Sequence, residues 1–386
     1  MNAPQKFADY VYPTAFSGWG PEEHEAIARV CASNQWTMGY EVDAFEREFA
    51  ARHQMDYCIA VNSGSSANLV SIAALSELGY IKPGDKALVP ALAWSTTYAP
   101  IVQHGLDLVL IDSDASWCAG RDADLPITYH VKHDDRLSLI VTCGVLGNPE
   151  HGGFWAQAAE NAEAVLHCDN CESVGAREPD GTLTGTRGLT NAFSFYYSHQ
   201  MSAIEGGAIL TNNEDVARMC RMIRAHGWTR GLRMVQDFSD EFRFEVMGYN
   251  VRPLELHSAI ARVQLVKLEK RIAARRDNYA HWQQASQGLP IERPLLRGSP
   301  SPFAIHFCVK DRETRQRLAN ALRANGIDCR PPIAGSFRLQ PYGAKWATQR
   351  TPVADEIHWR GMAIGNAPHA IPDLIDRAVK VMREVL

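Results

Sequence analysis

The sequence predicts an α/β protein with a mostly parallel sheet, followed by a smaller C-terminal α+β domain. Three observations carry that prediction. Short apolar runs alternate with helical stretches as far as about residue 170. Those runs are nearly continuous in apolar character, which fits strands covered on both faces. Beyond a Pro/Gly-rich stretch at 288–302, one strand-like run is followed by one helix, a different grammar. The division this predicts is a large domain over 1–250 and a small one over 251–386.

The elements follow in order. Residues 21–30 open a helix, with Pro21 tolerated in its first turn and Glu22 and Glu23 behind it. The apolar run 58–61 reads as a short strand, and 62–78 turns helical after a Gly/Ser-rich start. Runs 87–90, 108–112, 137–141 and 164–169 are strand candidates. The Gly248-Tyr249-Asn250 turn precedes a long helical region over 253–284. Residues 303–309 read as a strand, and 312–325 as a helix ended by Gly326.

Composition narrows the function classes. At 386 residues the chain is long enough for more than one domain, and its 46% apolar and 22% charged content is that of a soluble globular protein. A net charge of -5 gives no global basic field for nucleic acid or an anionic membrane, so neither is expected as a partner. Residues 1–10 hold no signal-peptide core, and no run of 18 apolar residues is present. Nine scattered cysteines do not read as a secreted disulfide framework. A cytoplasmic protein is the expectation.

Several motifs carry chemistry. Asn62-Ser63-Gly64-Ser65-Ser66-Ala67-Asn68-Leu69 follows an apolar run and opens a helix; a plain N-cap is the commoner reading of such a string, and its backbone donors and hydroxyls also suit a phosphate dianion. It lacks the Gly-Lys-Ser/Thr ending of a P-loop and the dinucleotide glycine fingerprint. Asp169 ends a strand candidate, the edge at which open α/β sheets collect ligands; a helix N-cap is the competing reading. Cys168-x-x-Cys171 is a lone pair of thiols without a matching partner, so no metal is expected. Arg252 and Arg330 read either as bidentate grips on a carboxylate or phosphate or as domain-interface ion pairs. His226 is either a ligand contact or structural.

Longer strings carry a resemblance. Pro90-Ala91-Leu92-Ala93-Trp94-Ser95-Thr96-Thr97-Tyr98, Leu146-Gly147-Asn148-Pro149 and Asp169-Asn170-Cys171-Glu172-Ser173 are three of them. Arg224-Ala225-His226-Gly227-Trp228-Thr229-Arg230, Gly248-Tyr249-Asn250-Val251-Arg252-Pro253 and Gly326-Ile327-Asp328-Cys329-Arg330-Pro331 are the others. Together they resemble the DegT/DnrJ/EryC1/StrS sugar aminotransferase family. The resemblance implies an aspartate aminotransferase-like fold (pyridoxal-phosphate fold type I) with a seven-stranded sheet, and a homodimer with sites at the interface. By motif it implies that Gly64, Ser65, Ser66 and Ser194 cradle the cofactor phosphate, and that Asp169 holds the pyridine nitrogen. Trp94 stacks on the ring, Glu172 lies near the cofactor oxygen, and Asn250 reaches the phosphate in the opposite subunit. His226, Arg252 and Arg330 are the substrate contacts.

His199 sets the chain apart within the family. It lies in Ser194-Phe195-Tyr196-Tyr197-Ser198-His199-Gln200, six residues before Glu205-Gly206-Gly207, where the family carries the lysine that binds the cofactor covalently. Imidazole cannot make that linkage. The chain is therefore similar to the family's 3-dehydratase branch, which uses histidine as its base. The implied activity removes the C3 hydroxyl of a nucleotide-linked 4-keto-6-deoxy sugar, GDP-4-keto-6-deoxymannose in the first place. The implied cofactor is pyridoxal or pyridoxamine phosphate (PLP/PMP), with L-glutamate as amino donor. Gln200 departs from that branch, which has a second histidine there. A further dehydratase class uses an iron–sulfur cluster, but after His199 only the widely spaced Cys220, Cys308 and Cys329 remain, so no cluster is expected. The alternatives are an ordinary sugar aminotransferase and a non-catalytic relative that binds cofactor or sugar.

Overall fold

A computed structural model describes residues 10–121, 136–229, 232 and 237–386. Arg230, the last residue of the Arg224 string, lies outside the described residues. Seven strands form the main sheet: β1 (Tyr57–Val61), β2 (Lys86–Pro90), β3 (Asp107–Ile111), β4 (Leu137–Cys143), β5 (Val165–Asp169), β6 (Thr190–Ser194) and β7 (Gly207–Thr211). Their order is β1-β7-β6-β5-β4-β2-β3. The pairs from β3 through β6 are parallel, and β7 runs antiparallel to both β6 and β1. The sheet is therefore mostly parallel, as expected.

Neighbouring residues of the central strands enter different cores. Val89 and Val141 pack into one cluster with Ile72 and Tyr98, whereas Leu88 and Ile140 pack into another with Trp155 and Leu166. Alternation across the pleat thus buries both faces, and this is why the strands carry unbroken apolar runs. The covering helices are α1 (Pro21–Ser33), α2 (Tyr40–His53), α3 (Gly64–Glu77), α4 (Ser95–Gln103), α5 (Gly152–Asn161) and α6 (Glu214–Ile223). The 31-residue α7 (Glu255–Ala285) is roughly 46 Å long at 1.5 Å per residue.

The C-terminal part comprises β8 (Ala304–Cys308), α8 (Arg312–Ala324), β9 (Cys329–Arg330), α9 (Pro352–Arg360), β10 (Gly361–Gly365) and α10 (Pro372–Val385). Its small sheet has the antiparallel order β8-β10-β9. Helix α7 joins the two parts. Ile260, Leu268 and Ile272 lie in the core of the large sheet, and Tyr279 and Trp282 in that of the small one. Tyr12 also belongs to the small core, its hydroxyl donating to the Gly365 carbonyl at 2.8 Å. A division at 250/251 remains a proposal, with α7 as the shared strut. Among the described residues, no helix is long and apolar enough to cross a membrane.

Candidate active site

A cavity of about 280 Å³ opens at the carboxyl ends of the parallel strands. Its floor is Asp169, the last residue of β5, which is buried. Asn68 Nδ2 and Thr97 Oγ1 each donate to Asp169 Oδ2 at 2.8 Å, and the Cys171 N–H donates to Oδ1 at 3.1 Å. The carboxylate is thus aimed by three donors from α3, α4 and its own loop.

One wall is the start of α3. Ser63 caps this helix, its hydroxyl accepting from the Ser66 N–H at 3.1 Å while its carbonyl accepts from Ala67. That cap leaves the N–H groups of Gly64 and Ser65 for a ligand, and the Ser65 hydroxyl pairs with Thr96 at 2.8 Å. A Cβ on Gly64 would lie 2.5 Å from Ser194 Cβ and 2.7 Å from Cys171 Sγ, so only glycine allows this close approach of helix and strand. A helix N-terminus with free donors, hydroxyls beside it and Ser194 across from it fits a phosphate. Trp94, the N-cap residue of α4, also faces the cavity and is 53% exposed, so it is an open platform and not a core residue.

His199 also lines the cavity, as do Tyr196, Ser198, Glu205 and Arg330. Its ring lies between Phe303 and Tyr196, at centroid distances of 5.1 and 5.7 Å. Nδ1 is buried with no hydrogen-bond partner among the described residues. Burial first, then the Arg330 and Arg275 cations, pushes its pKa down to about 3, so the imidazole is neutral with a free lone pair. Glu172 accepts from the Leu146 N–H at 2.9 Å, and burial pushes its carboxyl up to about 7 against the pull of Arg330. No lysine lines the cavity among the described residues.

The structure therefore gathers Gly64, Ser65, Trp94, Asp169, Glu172, Ser194, His199 and Arg330 around one cavity. Four expected residues are elsewhere. The Ser66 hydroxyl is taken up inside the cap, donating to Asn62 Oδ1 at 2.6 Å. His226 and Asn250 are exposed, and Arg252 Nε donates to Asn250 Oδ1 at 3.1 Å, all away from this chain's own cavity. Gln200 is buried and braces the backbone, donating to the carbonyls of Glu172 (2.7 Å) and Ser301 (2.8 Å), so it does not face the cavity. Sequence reasoning missed Asn68, Thr96, Thr97, Cys171, Tyr196, Ser198 and Glu205. A signal existed for Asn68, which follows Ser65 by one helical step on the same face of α3. Among the described residues, no three His, Cys, Asp or Glu side chains are grouped to hold a metal ion.

Fold and cavity together define the aspartate aminotransferase-like class, pyridoxal-phosphate fold type I, with His199 and, among the described residues, no lysine lining the cavity. Residues 19–383 match the DegT/DnrJ/EryC1/StrS aminotransferase family, and the chain belongs to it. It is 34% identical to GDP-4-keto-6-deoxy-D-mannose 3-dehydratase of Escherichia coli O55:H7, covering 97% of this chain and 99% of that one. Among solved structures it is similar to a GDP-4-keto-6-deoxymannose-3-dehydratase variant, histidine changed to asparagine, with bound GDP-perosamine. The TM-score is 0.89 at 34% identity, covering 96% of this chain and 100% of that one. A second structure of that dehydratase, with a trapped PLP-glutamate geminal diamine, gives 0.87 at 32% identity over 96% of this chain and 100% of that one.

Proposed function

We propose that this chain is a PLP/PMP-dependent 3-dehydratase acting on GDP-4-keto-6-deoxymannose, with L-glutamate restoring the amine form of the cofactor. One observation supports the reading: among the described residues His199 and Asp169 line one cavity together with Gly64, Ser65 and Ser194, and no lysine lines it. When bound, pyridoxamine phosphate supplies the amine that condenses with the C4 ketone and the conjugated ring that takes up electrons as the C3 hydroxyl leaves.

The protein's own residues do the rest. The Gly64 and Ser65 N–H groups, the Ser65 hydroxyl and Ser194 would hold the phosphate, Asp169 would pair with the ring nitrogen, and Trp94 would offer the ring an aromatic face. His199 takes a proton on a ring nitrogen, for which its depressed pKa leaves the lone pair free, and returns that proton to the leaving hydroxyl. As the conjugate acid of so weak a base, the imidazolium is a strong donor. Arg330 lines the cavity, makes no side-chain hydrogen bond among the described residues, and would grip the glutamate carboxylate. Asn250, His226 and Arg252 complete the site of a second copy in a homodimer.

The test is product analysis. Incubated with GDP-4-keto-6-deoxymannose, pyridoxal phosphate and glutamate, the protein should release ammonia in step with a 3-deoxy-4-keto product. A 4-amino sugar formed without ammonia would instead assign an aminotransferase, and binding without turnover a non-catalytic relative.

A further inference from the structure

Behind Asp169 lies a buried chain of polar side chains. His167 precedes it by two residues on β5, so both side chains leave the same face of the strand. His167 Nε2 lies 3.0 Å from Asn68 Oδ1, and its Nδ1 lies 2.8 Å from Thr190 Oγ1 on the adjacent strand β6. Asn68 Nδ2 in turn donates to Asp169 Oδ2 at 2.8 Å. His167, Asn68 and Thr190 are at most 2% exposed, so water takes no part in these contacts.

The direction of this chain is fixed by its end. An ionised carboxylate only accepts, so Asn68 turns its amide nitrogen toward Asp169 and its oxygen toward His167. His167 then has to donate from Nε2, which leaves Nδ1 bare to accept from the Thr190 hydroxyl. Every bond along the chain points at Asp169. Burial pushes the His167 pKa down and so keeps the ring neutral, in a single tautomer.

We propose that His167, held by Thr190, is a positioning residue that acts through Asn68 to fix the orientation and acceptor role of the Asp169 carboxylate toward the cofactor ring nitrogen. The inference rests on the reading of Asp169 as the ring-nitrogen partner. It assigns to His167 no contact with cofactor or substrate, since His167 does not line the cavity. A histidine that merely filled the core would be replaceable by any residue of similar volume. The relay instead requires a donor and an acceptor on one side chain, which the glutamine amide offers and leucine does not.

Two measurements test this. In the ligand-free protein, nitrogen-15 NMR of labelled histidine, assigned by difference with His167→Gln, should show His167 as the neutral Nε2–H tautomer from pH 5.5 to 8.5. The Nδ1–H tautomer, or a protonated ring in that range, would overturn the proposal. In the second, ring-labelled [15N]pyridoxamine phosphate is bound to wild type, His167→Gln and His167→Leu. The glutamine variant should keep wild-type affinity within about threefold and the same ring-nitrogen protonation. The leucine variant should bind roughly tenfold more weakly, the expected cost of one buried acceptor left unpaired, and its ring nitrogen should lose its proton at lower pH. A folded leucine variant with wild-type affinity and ring signal would reduce His167 to packing, as would a glutamine variant no better than leucine. If the leucine variant does not fold, the tautomer and the glutamine variant still decide. Failure of wild type to bind pyridoxamine phosphate would strike the functional reading itself, whereas the tautomer is read without any ligand.

Discussion

The cavity at the ends of β5 and β6 and the surface that carries His226, Asn250 and Arg252 were both marked by the same family resemblance, yet the folded chain treats them oppositely. In the cavity, polar side chains converge. Asp169 accepts three hydrogen bonds, and His199 is wedged between two aromatic rings. On the surface, Asn250 and His226 are exposed, the His226 backbone takes the left-handed region at φ 68°, and its N–H donates to the Tyr249 carbonyl. Around them Trp228 and Phe242 stack at 5.3 Å, with Phe242 and Met247 largely exposed. One region brings its polar groups together within a single chain. The other has the composition of a surface awaiting a partner, and this supports reading it as the half of the site that each copy lends to the other.

Substitutions can break this contrast. The largest effect is expected at His199. His199→Asn should keep the cradle and Asp169, and so bind cofactor normally. Its turnover should fall by roughly 10²–10⁴-fold, the usual contribution of a positioned base. Near-wild-type dehydration at full occupancy would pass the role of base to another cavity group, with Glu172 the first candidate. Gly64→Ala should weaken pyridoxamine phosphate binding roughly 10- to 100-fold, because the new methyl would overlap Ser194 and Cys171. Titration of cofactor fluorescence quenching would measure it, and an unchanged affinity would contradict the cradle.

The surface half requires a different design. Asn250→Ala should cost roughly tenfold in cofactor affinity, about the worth of one hydrogen bond to a charged group. Co-expression with His199→Ala chains should rebuild one intact site per mixed dimer and restore turnover at cofactor concentrations too low to support either variant alone. Confirmed heterodimers without recovery would show that the surface lends nothing to the cavity.

A change at Glu150, which does not line the cavity, should act mainly on stability. Glu150 is buried, accepts from the Gly185 N–H at 3.2 Å through Oε1, and has no partner for Oε2 among the described residues. Burial, with help from Glu178, pushes its pKa from 4.5 up to about 8. The native state therefore holds a proton that the unfolded chain releases above about pH 4.5, and this group makes stability fall as pH rises toward 8. Glu150→Gln should gain nothing near pH 4.5 and on the order of 2 kcal/mol at pH 8, with cofactor affinity unchanged. Urea denaturation at the two pH values checks this; an equal gain at both would contradict the assignment.

What was legible in the sequence follows the same division. Unbroken apolar runs located β2, β3, β4 and β5 because both faces of those strands are buried. β6 went unmarked because it begins Thr190-Asn191, polar residues whose partners come from elsewhere in the fold: His167 for Thr190, and the Gly188 and Leu210 carbonyls for Asn191. Gly64, Asp169 and His199 could be marked because each sits in a string with a recognisable neighbourhood. Ser66 was grouped with the cradle because hydroxyl content alone does not reveal which serine the N-cap consumes. Asn68, Thr97 and His167 were missed for a related reason, since their roles arise only when α3, α4 and β5 meet at one carboxylate. Gln200 illustrates the converse. It stands where the dehydratase branch has a second histidine, yet folding turns it into the backbone.

The central claim is that the cofactor works unattached beside a histidine base. Intact-mass measurement of the holoprotein after borohydride reduction tests it most directly. The account predicts the mass of the bare polypeptide, with all cofactor released on denaturation. A stable reduced adduct on any lysine would contradict it.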